Sequence, residues 1–292
     1  MSLIEKNEFG QVSSYLLSEQ CPALKIEHQS CTAVLSLYGG QVLSWTPQGQ
    51  KDVFWMSNSS EFTPGKAIRG GIPLCWPWFG PYHGSKNQNG GNHGFARVNL
   101  WRLEQVNISA EQVDITLCFD GESCHDLWPH AFSLKQQLSF GKVFSQQLHI
   151  TNNSAQSVQY TGALHSYFNV SSPEQTSIDD LSEAKFIDKL ADSYPRESIL
   201  PNCLGPIDRV YQDNGVIKII DQGESRIVQV TPSHTHQWVL WNPGAEIVKT
   251  MADIHEHGET EFVCLEAANT EWITIAPQQS VEMGQVIRVT NF

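Results

Sequence analysis

The chain is short of positive charge. It carries 18 lysines and arginines against 31 aspartates and glutamates, a net charge of −13 over 292 residues. That balance excludes nucleic acid and anionic membrane surfaces as natural partners. It also repels an anionic small molecule at long range, so any phosphate site must be local and built from arginine. Paired cysteines are missing too. Cys21, Cys31, Cys75, Cys118, Cys124, Cys203 and Cys264 include no Cys-x-x-Cys pair, and their number is odd. This reads as free thiols in a reducing cytosol. No stretch is long and apolar enough to span a bilayer. The first residues lack the basic start and apolar run of a signal peptide, so a cytoplasmic protein is expected. There is no G-x-x-x-x-G-K-[ST] phosphate loop and no G-x-S-x-G nucleophile elbow. Gly39-Gly40 and Gly90-Gly91 lack Rossmann spacing. Helical periodicity is almost absent, with 180–190 a weak short candidate.

What is present is strand pattern. Val113, Ile115, Leu117 and Phe119 alternate with polar or small residues. Phe132, Leu134, Leu138 and Phe140 repeat the pattern, with Gln136 the one polar residue in that register. Phe144, Leu148 and Ile150 follow after Gly141-Lys142, which reads as a hairpin turn. Further short strands are expected near 33–37, 41–46, 52–56, 98–106, 157–165, 216–220, 226–231, 237–241, 262–267, 272–276 and 281–290. Many short strands separated by Gly, Pro and Asn turns predict a large all-β sandwich. No linker or repeat divides the chain, so residues 1–292 are read as one domain. Its 40% hydrophobic content suffices for a substantial core. Two irregular stretches interrupt the strands, a polar loop over 81–92 and the region 171–206.

One segment concentrates unusual residues: Arg69-Gly70-Gly71-Ile72-Pro73-Leu74-Cys75-Trp76-Pro77-Trp78-Phe79-Gly80-Pro81, followed by Asn92-His93-Gly94-Phe95-Ala96-Arg97. Glycine lets backbone approach a ligand closely. Proline stiffens a loop. Aromatic rings offer flat walls to a sugar. Arginine forks fit carboxylate or phosphate. Together they describe a rigid aromatic pocket with cationic corners, suited to an anionic sugar. The plainer reading is a stiff structural loop with two surface arginines.

Two ionisable residues interrupt apolar strand segments: His165 in Ala163–Phe168, and Glu266 in Val263–Ala268. A charged group there needs a partner or a task. Imidazole and carboxylate together make an acid–base pair at neutral pH. Each also has a bland reading, as a hydrogen-bonded half-buried histidine and as a structural ion pair. Asp208 follows Gly205-Pro206 and reads first as a turn residue. A rival site lies in His255-Glu256-His257-Gly258-Glu259-Thr260-Glu261. His255, His257 and Glu261 match part of a cupin metal motif, but Lys249 and Ala268 stand where that motif expects glycine.

The motifs coincide, in order, with those of one family. Arg69–Pro81, Asn92–Arg97, Ala163–Phe168, Asp208-Arg209-Val210-Tyr211, Trp241-Asn242-Pro243 and Glu266-Ala267-Ala268 resemble the glucose-6-phosphate 1-epimerases, or hexose-6-phosphate mutarotases, of the aldose 1-epimerase superfamily. The resemblance covers nearly the whole chain. It implies a galactose-mutarotase-like β-supersandwich with few short helices, no cofactor and no metal. It implies His165 and Glu266 as catalytic residues, and Arg69, Asn92, His93, Arg97 and Asp208 as substrate-binding residues. The expected ligand is a hexose 6-phosphate and the expected state a monomer. The expected chemistry starts with Glu266 ionised and His165 protonated, a nearby carboxylate favouring the imidazolium. A metal-dependent cupin-type isomerase and a noncatalytic carbohydrate-binding protein are the alternatives.

Overall fold

The computed structural model describes residues 1–82, 90–194 and 197–292. Its strands form three antiparallel sheets. The first is a meander of Ser2–Lys6, Gly10–Ser18, Cys21–His28, Cys31–Ser36 and Gln41–Pro47, neighbours in space as in sequence. The second has eight strands. Its centre is the run with the clearest alternation, Gln112–Gly121, Phe132–Gly141 and Val143–Asn152. Arg102–Ile108 closes one side. Ser280–Asn291, Arg226–Ser233, Ile217–Asp221 and Thr176–Ser177 extend the other. The third sheet runs Phe186–Asp188, Ile207–Tyr211, Gln237–Asn242, Phe262–Ile275, Val158–Leu164 and Leu74–Cys75, with Tyr167–Asn169 also paired to Phe262–Ile275.

Period two decides which side chains turn inward. Phe132, Leu134, Leu138 and Phe140 are buried, and Phe140 pairs with Phe144 across the Gly141-Lys142 turn. Leu164, Trp238, Leu240 and Leu265 of the seven-stranded sheet belong to the same apolar core. Two sheets therefore face each other over one core, as in a sandwich. Each large side chain so buried contributes roughly 1.5–3 kcal/mol. Gln136, in register with these apolar residues, is also fully buried. It begins a polar chain through the core. Gln136 Nε2 donates to the Gly40 carbonyl at 2.7 Å, and Gln146 Nε2 donates to Gln136 Oε1 at 2.7 Å. Gln285 Nε2 donates to Gln146 Oε1 at 3.0 Å and to Ser166 Oγ at 2.9 Å. Every member is paired, which a buried polar chain requires.

Several sequence expectations are corrected. The weak helix at 180–190 is a short 3-10 turn, Asp179–Leu181, and then the strand Phe186–Asp188. The separate strands expected at 262–267 and 272–276 are one, Phe262–Ile275. The stretch 52–56 holds isolated bridges at Phe54 and Met56 rather than a strand. The strands Ser2–Lys6, Gly10–Ser18 and Cys21–His28 were not anticipated. The first is exposed throughout and has no apolar face to show. In the third, His28 and Cys21 fill inward positions and blur the alternation. Most of the 81–92 loop, residues 83–89, lies outside the described residues. Its ends meet in a bridge between Pro81 and Asn92.

Candidate active site

The seven-stranded sheet builds the site as two rungs. On Phe262–Ile275, Leu265 and Ala267 turn to the core, so Glu266 and Ala268 turn to the other face. Ala163 pairs with Ala268 and Leu164 with Ala267. The next residue along is His165, which is thereby level with Glu266. Val239 stands across from Glu266 on the other side. In the second rung Tyr167 pairs with Cys264, Cys264 with Trp241, and Trp241 with Asp208. The Lys189 N–H continues the rung, donating to the Asp208 carbonyl at 2.9 Å. Val239 lies on the floor, over a buried cluster that includes Ala163 and Ala268. Above it lies a cavity of about 240 Å³.

The polar motif of the first loop forms the rim. Arg69, Asn92, His93 and Arg97 all line the cavity with His165, Asp208 and Glu266. All seven residues singled out from sequence are thus brought together. Gly94 explains part of this geometry. Its φ is +65°, and a Cβ there would lie 2.0 Å from the Trp76 carbonyl oxygen. Only glycine lets the 92–97 turn lie flat on that backbone. The turn leaves His93 at a φ of 66°, with Nδ1 accepting the Gly80 N–H at 3.1 Å. His93 therefore carries its proton on Nε2.

His165 Nε2 and Glu266 Oε1 are 3.4 Å apart. Both residues are buried, and Glu266 is 1% exposed. The His165 ring stacks on Tyr167 at 4.9 Å and meets Trp241 edge-on. Its neighbour Ser166 is the end of the glutamine chain, which fixes the backbone beneath the ring. Burial pushes the His165 imidazole well below its ordinary value, and the Arg69 and Arg97 charges push it further. Burial pushes the Glu266 carboxyl well above its ordinary value, with Lys189 the main opposing charge. The sequence expectation that a nearby carboxylate would raise His165 is therefore corrected: desolvation and two guanidiniums outweigh it. Burial also lowers His93, with Arg97 and His165 adding to the effect. Burial raises Asp208, against the opposing charge of Lys189.

The two arginines are held differently. Arg69 Nε and Nη2 lie 2.9 and 2.8 Å from Asp253 Oδ2, and Nη1 donates to the Tyr167 hydroxyl at 2.7 Å. Arg97 Nη2 donates to the Asn92 carbonyl at 2.8 Å. The arrangement can hold an anion at its cationic rim and present an acid and a base to a ring lying on the floor.

Other expectations change. Trp76 and Trp78 do not wall the pocket; both are core residues, 0% and 1% exposed. The aromatic surfaces of the cavity are Phe79 and Trp241. Lys189, Met251 and Asp253 escaped sequence reading. Lys189 sits in the irregular 171–206 stretch, where no pattern marks it, and only sheet pairing delivers it here. A larger cavity, about 310 Å³, lies on the core side against Tyr211 and Leu240. Among the described residues no His, Arg or Lys lines it, so the chemistry they offer there is poorer.

The rival histidine cluster does not converge. His255 Nδ1 accepts the Asn58 N–H at 3.1 Å, and its Nε2 is 3.0 Å from Glu261. His257 is exposed and lies nearer Glu256, at 3.6 Å. Among the described residues, no three His, Cys, Asp or Glu side chains are arranged to hold a metal ion. Among them too, no helix is long and apolar enough to cross a membrane.

Known proteins agree with this architecture. An Escherichia coli K12 protein provisionally named glucose-6-phosphate 1-epimerase is 35% identical over 282 residues, covering 94% of this chain and 92% of its own. A solved structure from Salmonella typhimurium, described provisionally as a mutarotase, superposes with a TM-score of 0.87 at 30% identity, covering 99% and 97% of the two chains. A galactose mutarotase-like protein from Clostridium acetobutylicum, 16% identical, has a TM-score of 0.73 and covers 98% of this chain and 100% of its own. That last likeness bears on the fold, which is galactose-mutarotase-like. The aldose 1-epimerase family model matches residues 22–288. The chain belongs to the aldose 1-epimerase family.

Proposed function

We propose that the protein interconverts the α and β anomers of D-glucose 6-phosphate, as a monomer in the cytoplasm. The observation that carries the reading is the buried His165–Glu266 contact of 3.4 Å inside a pocket rimmed by Arg69 and Arg97. A cyclic hexose changes anomer by opening to the aldehyde, turning about C1–C2 and closing again. Ionised Glu266 takes the proton of the C1 hydroxyl. Protonated His165 gives its proton to the ring oxygen as the C1–O5 bond breaks. Closure on the other face reverses both transfers, so the enzyme returns to its starting state.

The shifted acidities suit this cycle. The pair needs one proton between its two members. Burial favours placing it on Glu266, which leaves both groups neutral. That neutral arrangement is the state reached after ring opening. An imidazolium pushed down is a stronger acid, and a carboxylate pushed up is a stronger base, so both transfers cost less than they would between unshifted groups. A phosphate dianion on Arg69 and Arg97 offsets the charges that disfavour the imidazolium before reaction. Asn92 and His93 Nε2 supply polar contacts at the rim, and Asp208 accepts sugar hydroxyls. Fixing the phosphate orients the reacting carbon.

The test is anomer exchange followed by NMR on glucose 6-phosphate. Glu266→Gln and His165→Ala should each lower turnover by about 10²-fold or more, the usual scale for general acid–base groups. Circular dichroism should show both folded. Near-wild-type exchange in two folded variants would remove the catalytic assignment.

A further inference from the structure

Lys189 is a part of the pocket that the acid–base reaction leaves without a task. Its ammonium lies 3.4 Å from Asp208 Oδ1 and 5.1 Å from the centre of the Phe79 ring. An ammonium has three donors, and among the described residues one long ion pair leaves most of that capacity free. The fold fixes the backbone that carries it. Asp188, the preceding residue, accepts from Arg209 Nε at 2.9 Å. Arg209 is 1% exposed and also donates to the Ser198 and Glu197 carbonyls at 2.9 and 2.7 Å. A buried arginine thus pins the strand end and the following loop, and the Lys189 side chain reaches the cavity from there.

The rung gives the direction. Tyr167, Cys264, Trp241 and Asp208 follow one another across four strands, and Lys189, just past the end of Phe186–Asp188, comes next. Arg69 is tied to the Tyr167 hydroxyl at one end. Lys189 stands at the other. Neighbouring strands are about 4.8 Å apart, so these two side chains enter the cavity from opposite ends of the rung and meet different parts of a bound sugar. In a pyranose ring, C2 is opposite C5, the carbon that bears C6 and its phosphate. A phosphate at the Arg69 end therefore turns the C2–C3 edge toward Lys189 and Asp208.

We propose that Lys189, coupled to Asp208, is a specificity-determining residue that reads the hydroxyls on the C2–C3 edge of the hexose. This rests on the epimerase reading for the orientation of the ring. The ammonium donates to one hydroxyl oxygen while Asp208 accepts a hydroxyl proton. Lys189 also opposes the rise that burial imposes on the Asp208 carboxyl, which favours the ionised form an acceptor needs. The face of the Phe79 ring attracts the ammonium and helps hold it over the cavity.

The test compares wild type and Lys189→Met, which removes the ammonium and keeps an unbranched side chain of similar length. Binding of glucose 6-phosphate and of 2-deoxyglucose 6-phosphate is measured by calorimetry, and exchange of both, and of free glucose, by NMR. Wild type should prefer glucose 6-phosphate over the 2-deoxy sugar by about 10- to 10²-fold, the scale of a hydrogen bond to a charged group. In Lys189→Met that gap should shrink to about threefold or less, through weaker binding of glucose 6-phosphate. The preference for glucose 6-phosphate over free glucose should persist. An unchanged 2-deoxy gap overturns the proposal. So does loss of the preference for the phosphorylated sugar, which would make Lys189 a phosphate ligand. Absence of exchange in wild type, with the lysine-dependent binding gap intact, would sink the epimerase reading and leave the lysine assignment standing.

Discussion

Replacing Arg69 tests how the site selects a phosphorylated sugar. A guanidinium has five N–H donors. Three are engaged in the protein: Nε and one on Nη2 toward Asp253, and one on Nη1 toward the Tyr167 hydroxyl. Among the described residues two have no partner, one on each terminal nitrogen, and these can serve the ligand. A charge-assisted hydrogen bond is worth about 1.5–3 kcal/mol. The Arg69 side chain is 22% exposed, and Arg97 remains after its loss. Both considerations reduce the effect to about one such bond. Arg69→Ala should lower kcat/KM for glucose 6-phosphate by about 10- to 10²-fold. Free glucose should change by about threefold or less, since it has no phosphate to lose. Arg69→Lys should recover only part, because a point charge cannot serve Asp253, Tyr167 and phosphate together. The Tyr167 hydroxyl would also lose its buried partner, at a cost of about 1–3 kcal/mol. A melting temperature lowered by a few degrees is therefore expected, and both sugars must be assayed well below it. The assay is exchange NMR on each sugar with enzyme shown to be folded. An equal fall for both would mean that Arg69 holds the ring or shapes the loop, and the phosphate site would lie elsewhere.

Two further outcomes follow from the acid–base pair. Activity needs one proton on the pair, so it falls at low pH when both groups are protonated and at high pH when neither is. His165 is pushed well below its ordinary value of 6.5 and Glu266 well above its ordinary 4.5, so His165 sets the acid limb, below 6.5, and Glu266 sets the alkaline limb. Exchange should therefore hold from about pH 7 to 6 once the substrate phosphate's own ionisation near pH 6 is allowed for; an acid limb centred at or above 6.5 would contradict the burial argument. Exhaustive chelation should leave the exchange rate unchanged, because a proton donor and acceptor suffice for ring opening. Loss of activity that zinc or manganese restores would return attention to His255, His257 and Glu261.

Local pattern made much of this legible. Phe132–Gly141 and Val143–Asn152 pair across the turn that Gly141-Lys142 announced, because a strand with one buried face writes its period into the sequence. His165 and Glu266 stood out because ionisable groups are rare in apolar strands. The loop residues Arg69, Asn92, His93 and Arg97 stood out as a dense and unusual motif. Tertiary structure decided the rest. Nothing in the chain near residue 189 says that its ammonium meets Asp208, since sheet pairing across some twenty residues creates that contact. Trp76 and Trp78 look like pocket walls in sequence, and only packing shows them turned into the core while Phe79 faces the cavity. Gln136 looks like a flaw in an apolar strand until Gln146, Gln285 and Ser166 complete its chain. The acidities, too, belong to the fold. Sequence supplied an imidazole and a carboxylate with their ordinary values. Burial sets them in opposite directions while the converging cations pull both down, because desolvation depends on what surrounds a group in space and not on its neighbours along the chain.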